Sequence, residues 1–212
     1  EFSVVTHRGC IVNCNFCSLR LNMGDKIISR SEESILRELK YITNLPHFKG
    51  NVDDFGGPSA NMYGMDCVKC DGDCIDCKNL DRSHKKLINL LRKARDVPGI
   101  KNIFVRSGIR YDLATKEYIK ELIGFHISGK LKIAPEHVNS HVLDLMNKNR
   151  GKLEQFIKEF GEFSNCELAF YFITAHPGSS LVEASELAKK IKHLKNTEAV
   201  QIFTPTPMTV ST

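Results

Sequence analysis

No stretch of this sequence approaches the roughly 18 consecutive apolar residues that a membrane-spanning helix needs. A charged-then-apolar leader is also missing from its start. Both absences make a soluble, cytoplasmic chain with no membrane partner the expectation. A charge of one sign is lacking too: 30 basic against 25 acidic residues leave a net +5. Much of that excess lies in mixed patches, such as Lys189, Lys190, Lys192 and Lys195 beside Glu183 and Glu186, which read as solvated helix surface. An excess this small is weak support for a nucleic-acid partner. There is no initiator methionine, and the chain stops at Thr209-Val-Ser-Thr just after an apolar run. A fragment of a longer protein is therefore expected.

What the sequence does contain is cysteine, 8 in all. Without a secretory signal these argue against a disulfide framework and for metal ligation in a reducing compartment. All but Cys166 fall into two tight groups.

Short β-type runs alternate with helical spacing along the whole length. Strands are predicted at 2–6, 52–55, 102–105, 131–133, 168–173 and 200–203. Helical periods are carried by Ile35, Leu36, Leu39 and Ile42, by Leu87, Leu91 and Ala94, and by Tyr118, Ile119 and Leu122. Val142, Leu143 and Met146, and then Leu181, Ala184, Leu187, Ala188 and Ile191, continue the series. Ser31 is placed to cap the first of these helices, with Glu32 and Glu33 suited to its positive end. Such an alternation implies an α/β fold with a parallel sheet and right-handed crossovers. Periodicity leaves open whether the sheet is doubly wound or a curved, incomplete barrel. In either, ligands gather at the C-terminal ends of the strands. The unusual residues of this chain all follow predicted strands: Cys10, Gly56-Gly57-Pro58, Ser107-Gly108, Pro135-Glu136-His137, His176-Pro177-Gly178 and Pro205.

Cys10-Ile-Val-Asn-Cys14-Asn-Phe-Cys17 places three thiols in one loop. A closed zinc or ferredoxin-type site wants four protein ligands, so three leave either a fourth ligand from elsewhere or an open coordination position. On a 4Fe-4S cluster an open iron can chelate the amino and carboxylate groups of S-adenosylmethionine (SAM). Zinc completed by His7 or His47, or a redox dithiol at Cys14 and Cys17, are the alternatives at this point.

The Cys-xxx-Cys-x-Phe-Cys pattern resembles the signature of the radical SAM superfamily. Thr6-His-Arg-Gly-Cys10, Gly56-Gly-Pro-Ser-Ala-Asn-Met-Tyr63, Ser107-Gly-Ile-Arg-Tyr-Asp-Leu-Ala114, Leu131-Lys-Ile-Ala-Pro-Glu-His137, Ile173-Thr-Ala-His-Pro-Gly178 and Phe203-Thr-Pro-Thr-Pro-Met208 extend the likeness to the YgiQ family, across essentially the whole chain. The resemblance implies a partial (β/α)6 barrel over residues 1–212 as one radical SAM core domain. It also implies a 4Fe-4S cluster on Cys10, Cys14 and Cys17, reductive cleavage of SAM to a 5′-deoxyadenosyl radical, a reductant, and a substrate that the motifs do not name. Around SAM it places Phe16 near the adenine and the Gly56-Gly57 turn against the amino group, glycine letting backbone carbonyls approach. Pro58 replaces the carboxylate usual in the third place of that turn. Glu136 suits the ribose hydroxyls. Ser107 and Arg110 suit the SAM carboxylate, and His176 the adenine or substrate. Each of the last four is also a plausible structural residue.

Cys67-Val-Lys-Cys70-Asp-Gly-Asp-Cys74-Ile-Asp-Cys77 forms a Cys-rich loop at 64–80 with four thiolates, enough to close a site for zinc or an auxiliary iron–sulfur cluster. That second group leaves two other functions standing: a methylthiotransferase-like modification of tRNA or protein, and a non-catalytic zinc module binding nucleic acid.

Overall fold

The computed structural model describes residues 1–67, 74–148, 153–163 and 166–212. Its elements run in the expected alternation: β1 (Ser3–Val5), β2 (His7–Arg8), α1 (Leu19–Met23), β3 (Ile28–Ser29), α2 (Glu32–Thr43), β4 (Asn51–Val52), β5 (Asp54–Gly56), α3 (Lys85–Arg95) and β6 (Asn102–Ile103). They continue with α4 (Lys116–Phe125), β7 (Lys130–Glu136), α5 (Ser140–Leu145), α6 (Leu153–Phe163), β8 (Glu167–Thr174), α7 (Leu181–Ile191) and β9 (Thr197–Ile202). The expected second strand is split at Asp53 into β4 and β5. The antiparallel pair β2–β3 and the helices α1 and α6 lie outside the sequence prediction.

The pairing is parallel and sequential. Val4 faces Phe55 across β1 and β5, Val52 faces Ile103 across β4 and β6, and Ile109 bridges Ile133 just after β6. Strand β7 then pairs with β8, and β8 with β9. Each strand thus lies beside its successor, the order of a barrel wall and not of a sheet that reverses direction at its middle. Among the described residues no ladder joins β9 back to β1, so the wall stays open.

The helices close over this sheet because their apolar stripes meet it. Ile35 and Leu39 of α2, Leu87, Leu90 and Leu91 of α3, and Tyr118, Ile119 and Leu122 of α4 are buried with Val4, Val52, Phe55, Ile103, Leu131 and Ile133 in one core. Each such Leu or Ile contributes about 1.5–3 kcal/mol by leaving water. Caps set the helix starts as the residues suggest. The Ser31 hydroxyl accepts from the Ser34 N–H at 3.2 Å, Thr115 accepts from Tyr118, and Ser180 with Glu183 forms a capping box on α7. Among the described residues no helix is long and apolar enough to cross a membrane.

Because the strands are parallel, their C-terminal ends share one rim. The cysteine loop, the turn after β5, the segment after β6 and the end of β7 all come to it.

Candidate functional site

The cysteine loop leaves β2 through Gly9, whose φ of +93° and closeness to the Lys26 carbonyl, 1.8 Å from where a Cβ would stand, admit glycine alone. Cys10 N–H then donates to the Gly24 carbonyl at 3.0 Å, and Cys17 N–H to the Cys14 carbonyl at 3.2 Å. The far side of the loop is tied to the end of α5. Asn15 donates from its backbone to the Met146 carbonyl (3.0 Å) and from its side chain to the Leu145 carbonyl (2.8 Å), while Asn147 donates back to the Asn13 carbonyl (2.7 Å). The last carbonyls of a helix have no partner within it; here the cysteine loop supplies one.

Cys10, Cys14 and Cys17 line a single cavity of about 320 Å³, together with Val12, Phe16, Pro58, Ser59, Arg110, Tyr111, Ile133, Glu136, Lys148 and Tyr171. A second, more open cleft of about 440 Å³ shares Phe16, Cys17, Glu136 and Tyr171 with it and runs on to Gln201 and Ile202 at the end of β9 and to Phe203 just past it. Burial pushes the Cys10 and Cys14 thiols up in pKa, and the nearby Arg110 and Lys148 cations pull them back.

Two ion pairs flank the thiols. Lys148 is buried and donates to Glu136 Oε1 at 2.6 Å. Its ammonium also stands 5.8 Å from the Phe16 ring centroid. Glu136 has φ +68°, costly for a residue with a side chain, and a shift in the β7–β8 register between Ile133 and Glu136 accompanies it. Such a kink re-aims a side chain at a strand end. The second pair is Arg110 with Asp112: Nε meets Oδ1 at 2.8 Å and Nη2 meets Oδ2 at 2.5 Å. Arg110 Nη1 points to Cys14 Sγ, 3.8 Å away.

Of the residues singled out in the sequence, the structure therefore brings the three cysteines, Phe16, Arg110 and Glu136 to one cavity. Four others sit elsewhere. Ser107 donates its hydroxyl to Asp54, whose Oδ1 also accepts the Arg106 and Ser107 N–H groups at 2.9 Å. Gly56 accepts from the Thr6 N–H at 2.8 Å, and a Cβ on Gly57 would come within 2.6 Å of the His7 ring. The turn they begin reaches the cavity through Pro58 and Ser59. His176 is buried outside that cavity, its Nε2 2.7 Å from the Ser211 hydroxyl and its ring edge-on to Phe203. Lys148 was not foreseen. Among 30 basic residues, nothing local marks one lysine past the end of a helix as buried.

In the second cysteine group Cys70 lies outside the described residues. Cys74 is buried and accepts from Lys26 Nζ at 3.5 Å. Cys74 and Cys77 belong to the same small apolar cluster as Cys10, Cys14, Met62 and Met65. Among the described residues no three His, Cys, Asp or Glu side chains are grouped to hold a single metal ion. A polynuclear cluster makes a different demand, since each thiolate binds its own iron around a void. Three thiols facing one cavity, with buried cations to offset thiolate charge, fit that demand.

The sequence pattern of the radical SAM superfamily matches residues 4–191. Among curated proteins the chain is 46% identical to a UPF0313 protein of Methanosarcina acetivorans, over 100% of this chain and 31% of that protein. It is 44% identical to one of Methanocaldococcus jannaschii, over 100% and 39%. The chain thus spans about a third of the length of these relatives. Among solved structures it resembles the radical SAM methyltransferase TsrM from Kitasatospora setae, with cobalamin and a [4Fe-4S] cluster bound, at TM-score 0.70 and 14% identity, over 99% of this chain and 38% of that one. It also resembles coproporphyrinogen III oxidase (HemN) from Escherichia coli, a radical SAM enzyme, at TM-score 0.57 and 19% identity, over 98% and 45%. At these identities the likeness is one of fold, and the fold is the partial barrel.

Proposed function

The chain belongs to the radical SAM superfamily, a class of enzymes that work with a 4Fe-4S cluster and SAM, and from that premise we propose that Cys10, Cys14 and Cys17 hold the cluster while the adjoining cavity takes SAM. When bound, the cluster supplies one electron to the SAM sulfonium, splitting the C5′–S bond to methionine and a 5′-deoxyadenosyl radical that abstracts hydrogen from substrate. The chain's own residues bind and orient. Lys148, whose ammonium keeps two donors beyond its bond to Glu136, and Arg110, whose fork onto Asp112 uses only two of its five donors, both stand at the cavity for the SAM carboxylate. Glu136, aimed into the cavity by its backbone twist, accepts from the ribose hydroxyls. Phe16 presents an apolar ring toward the adenine, and carbonyls of the turn at 57–59 receive the SAM ammonium. The cleft running from Tyr171 to Phe203 receives the substrate, and the apolar walls keep water from the radical.

The observation that carries this reading is the convergence of all three loop cysteines with Phe16, Glu136 and Lys148 on one cavity. Anaerobic reconstitution tests it. The expected result is four irons and a paramagnetic signal perturbed by SAM, then 5′-deoxyadenosine on reduction, with all three lost in Cys14→Ser. Zinc uptake without SAM cleavage would overturn it.

The cysteines at 67–77 form the second part of the proposal, as a site for zinc or an auxiliary iron–sulfur cluster. Packing of Cys74 and Cys77 against the first loop supports a role close to the chemistry. Iron beyond four per chain, with sulfur transfer to an RNA or protein, would mark a methylthiotransferase-like reaction; one zinc per chain would mark a structural site.

A further inference from the structure

Arg110 is placed with more care than a surface cation needs. Its backbone N–H donates to Asn61 Oδ1 at 2.8 Å, and its carbonyl accepts from Asn61 Nδ2 at 2.9 Å. Asn61 is fully buried in the turn after β5. The guanidinium is then fixed by its two bonds to Asp112, itself buried, so that the remaining Nη1 meets the Cys14 sulfur at 3.8 Å. Asp112 takes two of the five guanidinium donors and leaves the Nη1 group for another partner. Here the fork onto Asp112 sets the plane that carries the third donor to the thiol.

We infer that Arg110 is a positioning residue of the iron site: held by Asn61 and Asp112, it donates to the Cys14 sulfur and raises the reduction potential of the cluster that Cys14 ligates. The physical reason is charge. Reduction adds an electron to an already anionic group, and a fixed donor at a ligand sulfur stabilises the more negative state further. Burial strengthens the effect, because little water is present to screen it. The Asn61 side chain bonds to the Arg110 backbone and acts through it. The inference rests on the triad being the cluster site.

The test is the cluster midpoint potential, from paramagnetic redox titration of the reconstituted full chain. Arg110→Gln is expected to lower the midpoint with iron and sulfide content unchanged. Arg110→Lys, which keeps the charge but loses the fork, should fall between wild type and Arg110→Gln, and Asn61→Ala should lower it in the same direction. If Arg110→Gln does not fold, Arg110→Lys decides alone, a midpoint equal to wild type overturning the inference. A wild-type cluster whose variants keep its midpoint overturns it, whether or not they lose the SAM-induced spectral change. A wild-type chain that takes up no four-iron cluster overturns the reading of the triad as well.

Discussion

Glu136 and Lys148 show what a buried ion pair does at the scale of single residues. Taking both charges from water is costly, and their contact at 2.6 Å roughly offsets that cost. Removing one partner leaves the other charged and buried. Lys148→Met is therefore expected to destabilise the chain by about 3–5 kcal/mol, and the double variant Glu136→Gln/Lys148→Met by clearly less, as read from urea denaturation midpoints. Equal losses in the two would show that the pair is not coupled. The same residues illustrate the limit of sequence reading. Glu136 stands out because it ends a strand beside Pro135, whereas the lysine that answers it is set beside it by the path of α5 and is invisible before folding.

Among the elements, α3 depends on an unusual start. Its N-cap is His84, at φ +56°, buried and stacked on Tyr118 of α4 at 4.8 Å between ring centroids. Burial holds the His84 pKa down to about 4, against smaller upward pulls from backbone bonds to Arg82 and Asn61 and from the Asp81 charge. Above pH 6.5 the ring is neutral folded or unfolded and contributes no pH dependence. Between 6.5 and about 4 the unfolded chain takes up a proton that the folded chain refuses, so stability falls as pH drops. His84→Asn, which suits the left-handed conformation, should lower stability at pH 7.5 yet flatten the loss between pH 7.5 and 5. His7, also held near 4 by burial, will keep its own share. A slope unchanged in His84→Asn would assign the loss to other groups. The α5 end works differently: its carbonyls bind Asn15, so a six-residue helix positions the cysteine loop as well as burying Val142 and Met146.

At the scale of the molecule, Cys74 and Cys77 of the second cysteine group pack with the first loop. Cys74 and Cys77 share a small apolar cluster with Cys10 and Cys14, separate from the main core. Cys74→Ser introduces a hydroxyl into that cluster at a cost of roughly 1–3 kcal/mol. It should also speed iron loss from the proposed first site to a chelator, although none of the three proposed ligands changes. Unaltered iron retention would show that the second group stands alone. By itself the sequence determined the alternation of strands and helices, the α/β class, the three-thiol loop and most of the rim, because hydrophobic period, caps and cysteine spacing are local properties. Only the tertiary structure decided that the sheet neighbours run in order, that Lys148 faces Glu136, and that Asn61 holds Arg110 toward Cys14. Those facts join residues far apart in the chain, and such contacts exist only once the parallel strands bring their ends to one rim.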